Sequence, residues 1–245
     1  ARAIASFEPV TIAARPQDVS EVKLATAGKV DIYDVQIDDS WARDSGPTML
    51  RGPDGARAGV QWQFNAWGNK YFPFEDDAKF ATRVLEREGL KVYRAPLVCE
   101  GGAIHVDGEG TLLATEQTLL NPNRNPELTR QEIEEALALF TGIRKVIWLG
   151  DGFSDEETDG HIDNIACFAG AGRVLLGIPP FKTHPDYEPV MDAKRRLKDA
   201  RDGQGRAIEV VELPQPQEAR LDTRGRPLAA SYVNFYLPNG GIGMP

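Results

Sequence analysis

Apolar residues recur along this chain at helical spacing in four segments, each followed by a short apolar run of strand length. The first segment opens near Pro16, a residue suited to a first helical turn, and carries Val19, Val22 and Leu24 ahead of Gly28. The second spans Asp76 to Glu88, with Phe80, Ala81, Val84 and Leu85 on one face and Gly89 as terminator. The third starts at Thr129-Arg130-Gln131-Glu132, a capping-box sequence, and presents Ile133, Leu137 and Phe140 before Gly142. The fourth runs from Tyr187 to Ala200, with Gly203 beyond it.

Strands are expected over residues 30–35, 91–93, 145–148 and 208–211, one after each helix. A polar or glycine-rich stretch, a further strand and a hairpin-type turn come next. The turns are Gly52-Pro53-Asp54-Gly55, Asp107-Gly108-Glu109-Gly110, Gly170-Ala171-Gly172 and Pro238-Asn239-Gly240-Gly241. Helix starts lie about 50–60 residues apart, a repeat-sized interval. The predicted unit is strand–strand–strand–helix, present four times, which is an α/β repeat and not an alternating βαβ chain. Such units suggest a propeller-like ring in which the same edge of each faces a common axis. One domain over residues 1–245 is expected, with Pro214 to Arg226 as its longest surface loop.

The register of the repeat brings the chemistry into view. Just before the outgoing hairpin strand, the first unit has Ser40-Trp41-Ala42-Arg43-Asp44-Ser45-Gly46-Pro47 and the second Cys99-Glu100-Gly101-Gly102. The third has Asp159-Gly160-His161-Ile162-Asp163-Asn164 and the fourth Ser231-Tyr232-Val233-Asn234. Units related by rotation would bring Asp44, Glu100, His161, Asp163 and Asn234 together near the axis. Carboxylates grip a planar, permanently charged guanidinium through paired hydrogen bonds, and an imidazole beside them can shuttle protons. His161 and Asp163 are two residues apart, which on a strand places both on one face. Taken singly, Asp44 could be a turn residue or the partner of Arg43, Glu100 a solvated charge, His161 a polar surface residue and Asn234 a cap. Trp41 could be core or could stack on a cationic ligand. The acidic run Asp155-Glu156-Glu157 reads as a solvated loop or as a partner for a distal positive charge. His105 and His184 fall outside the register and read as structural.

Composition narrows the setting. The net charge of −9, from 28 basic and 37 acidic residues, argues against non-specific nucleic-acid binding and suits a small cation. No apolar run reaches the roughly 18 residues of a membrane helix. Two cysteines, Cys99 and Cys167, make no disulfide framework; both sit in apolar contexts, and a reducing cytoplasm is the expected location.

At these residues the sequence resembles the agmatine deiminase family of the guanidine-modifying pentein superfamily. The resemblance rests on residues 39–48, 100–110, 120–126 (Leu-Asn-Pro-Asn-Arg-Asn-Pro), 160–164 and 231–236, in order along nearly the whole chain. It implies a five-bladed α/β propeller and hydrolysis of agmatine to N-carbamoylputrescine and ammonia without a cofactor, a reaction of putrescine and polyamine biosynthesis. By motif position it implies that Asp44 and Asp163 hold the guanidinium, Glu100 assists, His161 is the acid/base and Trp41 lines the channel. Asn234 matches a polar site position of related peptidylarginine deiminases. Family members also carry a nucleophilic cysteine in a Gly-rich segment near the C-terminus, and neither Cys99 nor Cys167 matches it. The expectation is therefore a chain short of its first residues and of a fifth blade, with room for homo-oligomerisation. A catalytically silent guanidine or polyamine binder and a metal-dependent hydrolase using His161, Asp163 and Glu100 are the alternatives.

Overall fold

A computed structural model describes residues 1–154, 157–216 and 231–243. The chain opens with β1 (Thr11–Ala14), α1 (Val19–Ala25) and β2 (Asp31–Asp34), the two strands pairing in parallel. Three equivalent units follow. The first contains α2 (Ala42–Ser45), β3 (Thr48–Arg51), β4 (Arg57–Gln63), the turn α3 (Ala66–Asn69), α4 (Phe80–Arg87) and β5 (Lys91–Val98). The second contains β6 (Ile104–Val106), β7 (Thr111–Thr115), α5 (Glu116–Leu119), α6 (Arg130–Thr141) and β8 (Lys145–Leu149). The third contains α7 (Ile162–Ile165), β9 (Ala166–Gly170), β10 (Arg173–Ile178), α8 (Tyr187–Asp199) and β11 (Glu209–Pro214).

Each unit forms one mixed sheet by the same logic. A tight turn joins two antiparallel strands, β3–β4, β6–β7 and β9–β10. The second strand of each pair then crosses through a helix to a parallel partner, giving β4–β5, β7–β8 and β10–β11. This is the predicted repeat, with all four predicted helices present. The capping box forms at Thr129 and Glu132, and Gly142 ends α6 in the left-handed conformation at φ 74°. The first helix is shorter than predicted: it begins at Val19, because Arg15 and Asp18 close a turn ahead of it and leave Pro16 outside.

The strands carry apolar residues on both faces where helices cover them from both sides. Every residue of β7 is buried. Alternating side chains point oppositely, so Leu112 joins a core with Val60, Leu97, Ile133 and Leu137, while Leu113 joins another with Ile147, Leu149, Leu176 and Leu197. Thus α6 packs between β5 and its own sheet, and α8 between β8 and its own sheet. Successive units therefore stack on one another in the same way, and each presents the start of its hairpin to the same region.

The fourth predicted hairpin is present as a turn at Pro238–Gly241 and an antiparallel bridge between Tyr236 and Gly243. Tyr236 and Asn239 both hydrogen-bond the Glu8 carboxylate, so the two ends of the described chain meet. Of the loop expected over 214–226, residues 217–226 lie outside the described residues, as do Asp155 and Glu156 of the acidic run.

Candidate active site

The register expectation is met in space. Three short turns precede the hairpins of the three units: α2, a 3-10 turn at Gly101–Ala103, and α7, and they pack against one another. They carry Asp44, Glu100 and the pair His161 and Asp163, all buried. His161 and Asp163 do not lie on a strand, which corrects the sequence reading. Asp159 and Gly160 are left-handed, at φ 58° and 78°, and turn the chain so that His161 caps α7 and Asp163 falls in its first turn.

Glycine makes this convergence sterically feasible. A side chain at Gly101 would collide with the Arg43 carbonyl. At Gly102 a Cβ would lie 2.5 Å from His161 Nδ1, 2.8 Å from Asp44 Oδ1 and 2.9 Å from Asp163 Oδ2. The Gly102 backbone is thus the floor around which the His161, Asp44 and Asp163 side chains stand. Its amide also donates to Asp44 Oδ1 at 2.9 Å, and the Trp67 indole N–H donates to Asp44 Oδ2 at 2.9 Å. Trp67 reaches that carboxylate from α3, whose residues Ala66, Trp67, Gly68 and Asn69 all have positive φ. A left-handed turn of non-glycine residues is costly and persists only where its surroundings fix it. Here the Asn65 side chain accepts from the Gly68 amide and donates to the Asn123 carbonyl.

Glu100 is fully buried between two cationic groups. Its Oε1 accepts from Arg124 Nε at 2.6 Å, and its Oε2 faces His161 Nε2 at 3.7 Å, neither of those two atoms having a hydrogen-bond partner. His161 Nδ1 lies 3.9 Å from Asp44 Oδ1. Arg43, half exposed, comes within 3.6 Å of Asp163, and Asn234 donates to Asn164 at 3.4 Å beside the same carboxylate.

These contacts set the protonation of the cluster. Burial raises the Glu100 carboxyl, but His161 and then Arg124 outweigh it and hold Glu100 below the usual carboxylate range. Burial pulls the His161 imidazole down, and Glu100, Asp44 and Asp163 together lift it above its ordinary value. Asp163 goes up to about 6, driven by burial and assisted by Asp44, against the pull of His161, Arg43 and Asn234. The result is a buried acidic cluster around one basic imidazole, with a charge that suits a planar cation and a carboxyl that exchanges its proton near pH 6. The two thiols fit no nucleophilic role. Burial raises Cys99, which is fully buried, and pushes Cys167 up to about 11.

The Porphyromonas-type peptidyl-arginine deiminase family matches residues 1–245, the entire chain. The chain belongs to that family. A Legionella pneumophila (strain Paris) protein assigned as an agmatine deiminase is 43% identical over 246 residues, covering 100% of this chain and 70% of the relative. An agmatine deiminase structure from Enterococcus faecalis superposes with a TM-score of 0.94 at 35% identity, covering 99% of this chain and 72% of that one. A C. Jejuni agmatine deiminase structure, a cysteine-to-serine variant with substrate bound, is 28% identical with a TM-score of 0.85, covering 98% and 70%. Together these carry the α/β fold with mixed sheets seen in this family.

Beside the family's motifs, the structure places the remaining sequence candidates as follows. Trp41 precedes α2 and is 61% exposed, at the outer end of the segment that carries Asp44. His105 accepts from the Phe168 amide, and burial holds it neutral down to about pH 4; His184 accepts from the Asp186 amide. Both serve the fold. Sequence reasoning did not single out Arg124, Trp67 and Asp159. The signals were there: an arginine inside an Asn-Pro-Asn-Arg-Asn-Pro run, a tryptophan before Gly-Asn, and an aspartate just ahead of Gly160.

Proposed function

We propose that this chain is the substrate-gripping and proton-shuttling part of a hydrolase that deiminates a guanidinium substrate, agmatine, to N-carbamoylputrescine and ammonia. The observation that carries the reading is the buried cluster of Asp44, Glu100 and Asp163 around His161. A fixed cation with N–H donors on every edge neutralises such a pocket in a way no neutral ligand can. The names of the relatives point to the same substrate. They do not favour a silent binder or a metal-dependent hydrolase.

In this reading Asp44 and Asp163 hold the guanidinium edges, and Glu100 orients His161. Asn234 and Trp41 contact the rest of the substrate. A cysteine thiolate adds to the guanidinium carbon; His161 protonates one nitrogen, the C–N bond breaks, and ammonia departs. Water, deprotonated by His161, then adds to the thiouronium carbon, and the C–S bond breaks to return the thiolate and release the carbamoyl product. Neither cysteine of these 245 residues is placed for that step, so the thiolate comes from outside them. The units belong to one domain, a sector of a five-bladed ring, and the enzyme works in the cytoplasm.

Calorimetric titration tests the grip directly. Agmatine should bind, and putrescine, which has the amine chain without the guanidinium, should bind at least tenfold more weakly. Equal affinity for both, or binding of neither, would sink the reading.

A further inference from the structure

Arg124 is the only lysine or arginine buried among the described residues, and it touches segments from all three units. Its Nε donates to Glu100 Oε1 at 2.6 Å. Its Nη1 donates to Asn123 Oδ1 at 2.7 Å and to Asp159 Oδ2 at 2.8 Å, and Nη2 donates to the Thr158 carbonyl at 3.2 Å. Gly68 of the left-handed turn abuts the same guanidinium, where a Cβ would lie 2.7 Å from Nη1. Glu100 faces His161, Thr158–Asp159 leads into His161, and the Gly68 turn carries the Trp67 that holds Asp44.

We propose that Arg124 is a positioning residue of this site, a permanently bound guanidinium that divides the Glu100 carboxylate between structure and chemistry. One oxygen is consumed by Arg124, and the other is left without a hydrogen-bond partner, turned toward His161. The same side chain fixes the approach of His161 through Asp159 and Thr158, so the Glu100–His161 separation is set by one rigid fork. Lysine cannot substitute. An ammonium is a single point of charge and cannot span Glu100, Asp159 and the Thr158 carbonyl in one plane. A buried charged pair that loses one partner leaves the other uncompensated, so Glu100 would be expected to reorient toward His161 or take up a proton. Either change alters the imidazole's surroundings without Arg124 touching substrate.

This inference rests on the functional reading above, and the experiment separates the two. Agmatine titrations would be run on the chain and on its Arg124→Lys, Arg124→Gln and Asp159→Asn variants, alongside the 15N imidazole spectra of its three histidines and thermal melts. Arg124→Lys should weaken agmatine binding on the order of 10–100-fold, the scale known for partners that orient metal-bound side chains, and should shift the His161 ring signals. Asp159→Asn, which keeps the Glu100 contact, should do less of both. An Arg124→Lys variant that binds agmatine as the parent does, with unchanged His161 signals, would overturn the proposal whatever happens to its melting temperature. If the parent fails to bind agmatine, the functional reading falls, and the His161 signals still decide the positioning claim. Should Arg124→Gln not fold, the other two variants decide.

Discussion

Replacing Gly102 with alanine probes the site through a single added methyl group. Gly102 has an ordinary negative-φ backbone, so alanine brings no conformational strain there. Its Cβ would instead meet His161 Nδ1 at 2.5 Å, Asp44 Oδ1 at 2.8 Å and Asp163 Oδ2 at 2.9 Å. Restoring contacts of about 3.5 Å requires roughly 1 Å of movement at His161, and about 0.7 and 0.6 Å at the two carboxylates. All three groups are buried, and Asp44 is tied to both Gly102 and Trp67, so little free space exists to absorb the shift. Overpacking of this kind costs about 1–3 kcal/mol, of which a reduced freedom of the unfolded chain offsets about 0.4–1 kcal/mol. A net loss of about 1–2 kcal/mol lowers the melting temperature by only a few degrees, about 2–4 °C per kcal/mol at this size. A 1 Å misplacement of reacting groups costs on the order of 100-fold in rate, and the lost fit to a bound guanidinium is expected on the same scale. The expected result is a folded protein with agmatine affinity reduced about 100-fold, read by calorimetry beside a thermal melt. Undiminished affinity in a Gly102→Ala protein would refute the placement of these three side chains around one ligand.

Further outcomes follow from the same geometry. Asp163 keeps its proton up to about pH 6, against about 3.9 in an unfolded chain. Its contribution to stability is thus present at low pH and lost as pH rises from 4 to 6. Agmatine binding, which needs the carboxylate, should weaken as pH falls through 6, and Asp163→Asn should weaken binding at pH 8 and flatten that profile. Neither Cys99 nor Cys167 should react with a thiol reagent in the folded chain, and both should react in denaturant; rapid native labelling of either would contradict their burial. Thr129→Ala removes the α6 capping box and should cost about 0.5–2 kcal/mol in urea unfolding while leaving agmatine affinity unchanged.

Much of this arrangement could be read from local sequence because local chemistry produces it. The helix over 130–141 is declared by its capping box and by Gly142, and the hairpins by their Gly and Asp turns, so the repeat and its register were legible. That register groups Asp44, Glu100, His161, Asp163 and Asn234 from the sequence alone. What stayed hidden depends on residues distant in sequence. Arg124 is separated from Glu100 by 24 residues and from Asp159 by 35; the fold of the second unit brings it to Glu100, and the packing of that unit on the third brings it to Asp159. The alternation rule also failed locally at His161 and Asp163, since left-handed residues at 159 and 160 start a helical turn where a strand was expected. The left-handed turn at Ala66–Asn69 had only Gly68 and Asn69 to signal it, because Ala66 and Trp67 ordinarily avoid that conformation.

Ammonia release from agmatine tests the central claim most directly, using the protein expressed from its full coding sequence. The expected result is one ammonia and one N-carbamoylputrescine per agmatine consumed, with turnover lost in His161→Ala and Asp163→Asn while both variants remain folded. A folded protein that binds agmatine but releases no ammonia, or variants that turn over as the parent does, would contradict it.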